Sequence, residues 1–376
     1  MILVDSHWDI YSAFIFFLAS IFFIGYLSRK IGLGDKLGLM LYCYHTIFSC
    51  VYFGYVSTFG GDAAQYIIPG SVFHGREFAL GTIALVHFCE LLQEIGFSNL
   101  GIWLLFNSFG SIGLVYIASV LMDVANRGHL SRNLVLVFIF LPSVSFWSAG
   151  VGKDAISFMA IGLALYAALN FVKRIPLLIL AIAFMLLVRP HMAGMMVIAV
   201  VISVALSKQI NFIPRLIVGA IGLGVAAIMI PFALNYAGVS EDASNLGEYI
   251  DARANSNQDG GSSLDIASLP LPLQMFTYLF RPLPFEVRSI TQLLASIDNM
   301  VLLYLCYVAF KARAIVRNLT LPGNRVFMWW YVLIAWVLLS MTTANLGIAM
   351  RQKWMFAPIL IFLLISIIAA SESKNK

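Results

Sequence analysis

The residues of this chain most able to do chemistry are charged side chains that interrupt long apolar runs. Ser145-Phe-Trp-Ser-Ala-Gly-Val-Gly-Lys-Asp-Ala-Ile-Ser157 sets Lys153 and Asp154 between two such runs, and Leu187-Val-Arg-Pro-His191 sets Arg189 and His191 inside another. Arg281, Arg288, Arg351 and Lys353 stand beside the ends of further runs. A Lys or Asp at the centre of a membrane span costs on the order of 3 kcal/mol, so each such group needs a cavity, a partner or the water boundary. Guanidinium groups hold phosphate through paired hydrogen bonds, and an ammonium holds it as a point charge. The set therefore suits a phosphate or diphosphate at a membrane face. Asp62, in Gly60-Gly-Asp62-Ala-Ala-Gln-Tyr66, is the first candidate for a general base toward a hydroxyl, with Asp154 and Glu286 in reserve and His191 able to act in proton transfer.

Each of these residues also has a simpler reading. Arg189 and His191 fit a pair that caps a helical hairpin by snorkelling to the interface. Asp62 fits a Gly-Asp turn. Asp154 and Glu286 have basic neighbours, Lys153 and Arg288, with which a structural ion pair is expected. The Gly152-Lys153 step is not a phosphate-cradling P-loop, because Trp147 stands where that motif needs glycine and Asp154 where it needs Ser or Thr.

The elements that must position these groups are membrane helices. With 61% hydrophobic and 11% charged residues over 376, the composition excludes a soluble domain and indicates a polytopic membrane protein. Cys43, Cys50, Cys89 and Cys306 show no CxxC pairing and read as packing residues, and the six histidines show no ligand spacing, so neither a metal nor a cofactor is expected. Nothing in the chain suggests a nucleic-acid partner. Asp5 and Asp9 precede the first apolar run and Arg29 and Lys30 follow it, the reverse of a cleaved signal peptide, so a retained first helix with an outer N-terminus is expected.

Apolar runs near 10–27, 38–56, 100–122, 134–149, 155–172, 176–188, 192–207, 214–236, 293–310, 326–343 and 355–370 make about eleven spans of an all-α, single membrane domain covering 1–376. An outer N-terminus then puts Arg29, Lys30, Lys36, Arg127, Arg132, Lys173, Arg174, Lys208, Arg215, Lys311, Arg313, Arg317, Arg325, Lys374 and Lys376 inside, together with the C-terminus, in keeping with the positive-inside rule. Proline at 190 breaks what would otherwise be one long helix. Two long outer segments are expected. The first, 57–99, holds Asp62 and a re-entrant or interfacial helix over Thr82 to Leu92, too short to span. The second, 237–289, has a polar, flexible first half, Ser240 to Ser263, and a proline-broken apolar second half carrying Arg281.

An ordered set of short motifs runs along most of the chain. They are Asn107-Ser-Phe-Gly110-Ser-Ile-Gly113, Pro142 to Asp154, Val188-Arg-Pro-His191, Gly260-Gly-Ser-Ser263, Leu279-Phe-Arg-Pro-Leu-Pro-Phe-Glu286, and Asn345 with Arg351 and Pro358. The set resembles bacterial membrane proteins of the polysaccharide or O-antigen polymerase family, of the Wzy type. The resemblance implies a GT-C-like helical bundle in the bacterial inner membrane that carries out metal-independent glycosyl transfer on polyprenyl-diphosphate-linked oligosaccharide at the outer face. It also implies membrane lipids and a chain-length regulator or flippase as partners. The paired arginine-rich outer loops of the better-known polymerases are not cleanly present. Within this reading Lys153, Arg189, Arg281, Arg288, Arg351 and Lys353 hold the phosphate, and Asp62, Asp154 or His191 takes the proton. A single-sugar transferase using a polyprenyl-phosphate donor and a flippase of lipid-linked sugars are the alternatives. A flippase calls for charges deep within several spans and for duplicated halves, and the sequence reads as having neither.

Overall fold

The computed structural model describes residues 4, 6–68, 73–126, 128–207, scattered positions between 213 and 227, 269–316, 321–343 and 345–374. Among these the ordered elements are helices: α1 (His7–Lys30), α2 (Asp35–Phe59), α3 (Asp62–Ile67), α4 (Thr82–Glu94), α5 (Asn99–Ala125), α6 (His129–Ile139), α7 (Pro142–Ser148), α8 (Lys153–Leu169), α9 (Ile175–Val188), α10 (Pro190–Ala205), α11 (Leu271–Phe280), α12 (Ile290–Val316), α13 (Arg325–Thr342), α14 (Leu346–Gln352) and α15 (Ala357–Lys374). Among the described residues, seven stretches are long and apolar enough to cross a membrane: α1, α2, α5, α6 with α7, α12, α13 and α15. By length and composition this is a membrane protein. The helices α9 and α10, at 14 and 16 residues, match the lengths of the runs read as spans at 176–188 and 192–207, but they are short for a membrane crossing. At 1.5 Å per residue they reach about 21 and 24 Å, less than the roughly 30 Å of hydrocarbon. The expected span 214–236 and the expected flexible half-loop 240–263 lie outside the described residues.

The chain forms two compact units. The first comprises Met1–Asn126, Arg132–Tyr166 and Pro176–Arg189. Its centre is α5, whose most apolar window is 72% buried against 28% for α1 and 33% for α2. The two outer helices turn Phe14, Phe22, Ile47 and Val51 outward, as lipid-facing helices do. Ser6 starts α1 with a capping box: its hydroxyl accepts from the Asp9 N–H while the Asp9 carboxylate accepts from its own. Glycines on α5 let the neighbouring backbone approach. A Cβ at Gly113 would stand 2.7 Å from the Phe158 carbonyl oxygen of α8, and one at Gly162 would stand 2.6 Å from the Gly113 oxygen. The helices α5 and α8 thus cross in backbone contact, the arrangement small residues permit between membrane helices.

The second unit comprises Arg127–Ser131, Ala167–Ile175 and Pro190–Lys376. In it α12 packs on α15, α10 and α11 on α13, and α13 on α15. Glu372 near the end of α15 accepts from the Leu130 and Ser131 N–H groups at 2.9 and 3.0 Å, satisfying open donors at the start of α6. The Tyr331 hydroxyl donates to the Met355 carbonyl at 2.8 Å and holds a 3-10 turn, Lys353–Met355, that follows α14.

The four cysteines are free thiols. Cys89 is buried in the core as expected, but Cys43 and Cys50 lie on the exposed face of α2, so packing does not account for them. Thr82 to Leu92 is helical as read, extended to Glu94, with Ala84, Leu85, Val86, Cys89 and Leu92 buried. The proline-broken stretch after residue 269 is not wholly irregular: Pro270 caps α11, which buries Thr277 to Phe280.

Candidate functional site

The stretch from Ser145 to Ser157 folds as a helix end, a turn and a helix start. Pro142 occupies the first position of α7, where its missing N–H costs nothing. After Ser148 the chain turns through Ala149 to Gly152 and re-enters helix at Lys153. The turn is fixed from two sides. Ser49 of α2 donates to the Ala149 carbonyl at 2.7 Å, and the indole N–H of Trp103 on α5 donates to the Ser49 hydroxyl at 2.9 Å. A Cβ at Gly150 would collide with the Tyr52 ring at 2.3 Å, so only glycine lets the turn lie against that aromatic wall. Gly110 on α5 permits a similar approach, since a Cβ there would meet the Ser148 carbonyl oxygen at 2.1 Å. The α8 start therefore stands on a rigid aromatic and glycine platform made of Tyr52, Trp103, Phe106 and Phe146.

Three helix ends meet at that point. The α9 end contributes Leu187, whose carbonyl accepts from the Gly81 N–H at 2.8 Å, and Arg189, whose own N–H still bonds the Met185 carbonyl at 2.7 Å. The helix stops there because Pro190 has no N–H to continue it. Arg189 Nη2 donates to Asp154 Oδ1 at 2.5 Å, with both side chains nine-tenths buried. Lys153 Nζ donates to Thr82 Oγ1 at 3.0 Å, at the first residue of α4. The starts of α4 and α8, each with the partial positive charge of a helix N-terminus, thus share a corner with one guanidinium, one ammonium and one carboxylate. Arg189 Nε is buried and has no hydrogen-bond partner among the described residues. The three named side chains, two cations and one carboxylate, sum to a positive charge, which suits an anion.

The second unit carries a different network. Arg281 grips Glu286 with both donors of one edge of its fork, Nε to Oε2 at 3.0 Å and Nη2 to Oε1 at 2.5 Å, while the Leu283 N–H adds a bond to Oε2 at 2.8 Å. Partial burial pushes the Glu286 carboxyl up, but the Arg281 hydrogen bond, the Leu283 N–H and the Arg281 charge together bring it below its ordinary value. The Arg281–Pro282 peptide is cis. The Pro282 carbonyl accepts from Asn299 Nδ2 at 3.1 Å, and Asn299 Oδ1 accepts from Lys353 Nζ at 2.5 Å. Lys353 is fully buried beside Asp298. Burial pushes its ammonium down to about 8, against the opposing pull of the Asp298 charge. Asn299 therefore ties the segment carrying Arg281 to the turn carrying Lys353.

The expected site residues thus fall into groups. Lys153, Asp154 and Arg189 come together in the first unit, and Arg281 and Lys353 share a network in the second. Asp62 is not in a loop: it is the exposed first residue of α3, where the helix dipole favours a carboxylate, and Tyr66 turns into the core. His191 is the half-buried second residue of α10, Arg351 is half-buried in the last turn of α14, and Arg288 is exposed. Two ion-pair expectations fail. Asp154 pairs with Arg189, not Lys153, because adjacent residues on a helix do not face each other. Glu286 pairs with Arg281, not Arg288, because the 3-10 turn Pro284–Glu286 folds its carboxylate back. Asp298, Asn299 and Thr82 were missed. Asp298 had a signal, a charge inside the apolar run 293–310, whereas Thr82 had none. Comparison of the chain with protein-family models, with curated proteins and with solved structures finds no match.

Proposed function

We propose that this protein is a membrane-embedded glycosyltransferase that joins polyprenyl-diphosphate-linked oligosaccharide units at the outer face of the bacterial inner membrane. The observation that carries the reading is the corner where the Arg189–Asp154 pair, the Lys153–Thr82 hydrogen bond and the starts of α4 and α8 lie at the ends of apolar helices. A lipid-anchored diphosphate presents its charge at a membrane face, where the ends of apolar helices are expected to lie. In the transfer, the acceptor hydroxyl oxygen attacks the anomeric carbon. The carbon–oxygen bond to the diphosphate breaks, leaving its electron pair on the phosphate oxygen, and the hydroxyl proton passes to a carboxylate. Cations and N–H groups offset the charge that grows on the leaving group. Because the fork of Arg281 is already closed on Glu286, the diphosphate role falls first to Arg189.

The test separates a fork from a point charge. Arg189→Lys should leave membrane abundance near normal and shorten the polymer, since a charge-assisted hydrogen bond is worth about 1.5 to 3 kcal/mol and Lys restores only part of it. Arg189→Ala should be worse. Full-length polymer on a gel from Arg189→Lys cells at normal abundance would sink the assignment. A flippase reading has one observation in its favour: His45 in α2 and Asp298 in α12 are buried inside candidate spans, where ionisable groups often serve transport. Lipid-linked repeat units reaching the outer face in a deletion strain, with only their joining lost, favour the transferase; their retention inside favours the flippase.

A further inference from the structure

The two arginine–carboxylate pairs of this protein differ in a way that points to a ligand. Arg281 meets Glu286 along a full edge, Nε and Nη2 to two oxygens. Arg189 meets Asp154 through Nη2 alone, and its Nε is a buried donor without a partner among the described residues. An arginine edge is shaped for two oxygens of one anion, so the second edge is half used. The same corner holds Lys153 and the positive dipole ends of α4 and α8, all favouring negative charge. Thr82, Gly152 and Lys153 beside it are partly exposed.

We propose that Asp154 is the resident counter-ion of a diphosphate site: the incoming anion takes both donors of the Arg189 edge, displaces the carboxylate, and so frees Asp154 to accept the proton of the acceptor hydroxyl. The proposal rests on the transferase reading above and adds to it a gate, since the base is engaged with Arg189 until a donor is bound. Once released, the carboxylate stays at the first turn of α8, where the helix dipole still favours it. The proton that leaves the acceptor oxygen goes to this carboxylate, and the electron pair of the broken carbon–oxygen bond goes to the diphosphate held by Arg189 and Lys153.

The experiment titrates inorganic pyrophosphate into the detergent-solubilised full-length protein by calorimetry. Removing the internal competitor should tighten binding, so Asp154→Asn should bind pyrophosphate about tenfold more tightly than the native protein, the scale of one charge-assisted hydrogen bond. Arg189→Gln should abolish binding. Chain extension by Asp154→Asn in cells should be lost despite the tighter binding. Equal or weaker affinity in Asp154→Asn would overturn the displacement, as would retained chain extension. Should Asp154→Asn accumulate poorly, purification with pyrophosphate present decides: yield restored by the anion supports the site, and yield unchanged overturns it. Tighter pyrophosphate binding in a strain whose polymer is made normally without this protein would leave the anion site standing and remove the transferase reading. Polymer that depends on Arg189 with no tightening in Asp154→Asn would do the reverse.

Discussion

At the scale of the residue, what matters is how each charge is paired. A buried ion pair is seldom a device for stability, because taking two charges out of water offsets most of their attraction, yet removing one partner strands the other. Asp154→Asn alone should therefore destabilise the first unit by about 3 to 5 kcal/mol, whereas the double change Asp154→Leu with Arg189→Met should recover most of that loss. Thermal unfolding in detergent reads both, and a double variant no better than the single would mean that the pair itself supports the fold. The Glu286 pair makes a smaller, pH-dependent contribution, since both side chains are about a quarter exposed. Its carboxyl lies below the ordinary value of 4.5 in the fold, so its stabilisation is fully present above that value and is lost as pH falls through the lower folded value. Amide exchange at Leu283, whose N–H bonds Glu286, should accelerate on acidification beyond its intrinsic pH dependence. In Glu286→Gln that additional change should vanish. An unaltered acid response in Glu286→Gln would place the titration elsewhere.

At the scale of the element, the site depends on the backbone crossing of α5 and α8. Gly113 and Gly162 leave no room for a side chain, because each faces main-chain atoms that cannot swing away. Gly162→Val should cost about 1 to 3 kcal/mol or more by overpacking and should shift the α8 start that carries Lys153 and Asp154. Gly54→Val, in the same unit but with open space around it, should cost less than about 1 kcal/mol by the same measurement. Equal effects would mean that the crossing is not what positions α8. The break between α9 and α10 works in the same way. It brings Arg189 to a buried helix end where its guanidinium reaches α8, a placement that a continuous helix would not give.

At the scale of the whole molecule, the expected topology has its own test. With the N-terminus outside, a membrane-impermeant maleimide applied to intact cells should label Gln65→Cys, on the exposed face of α3, and should not label Lys36→Cys at the start of α2. The reverse pattern would invert the molecule and put the anion corner on the cytoplasmic side. The amino-acid sequence alone determined that the chain is helical and built for a membrane, where most helices lie, and that Pro190 ends a helix beside Arg189. These properties are local: hydropathy over about 20 residues and a missing N–H act within a helical turn or a span. Which charge meets which was decided only by the tertiary structure. Asp154 lies next to Lys153 in the chain yet bonds a guanidinium 35 positions away, and Lys353 bonds Asn299 across 54 positions. Such partners are chosen by the packing of glycines, aromatics and helix ends that are distant in sequence, and a buried charge takes whichever partner that packing brings within reach.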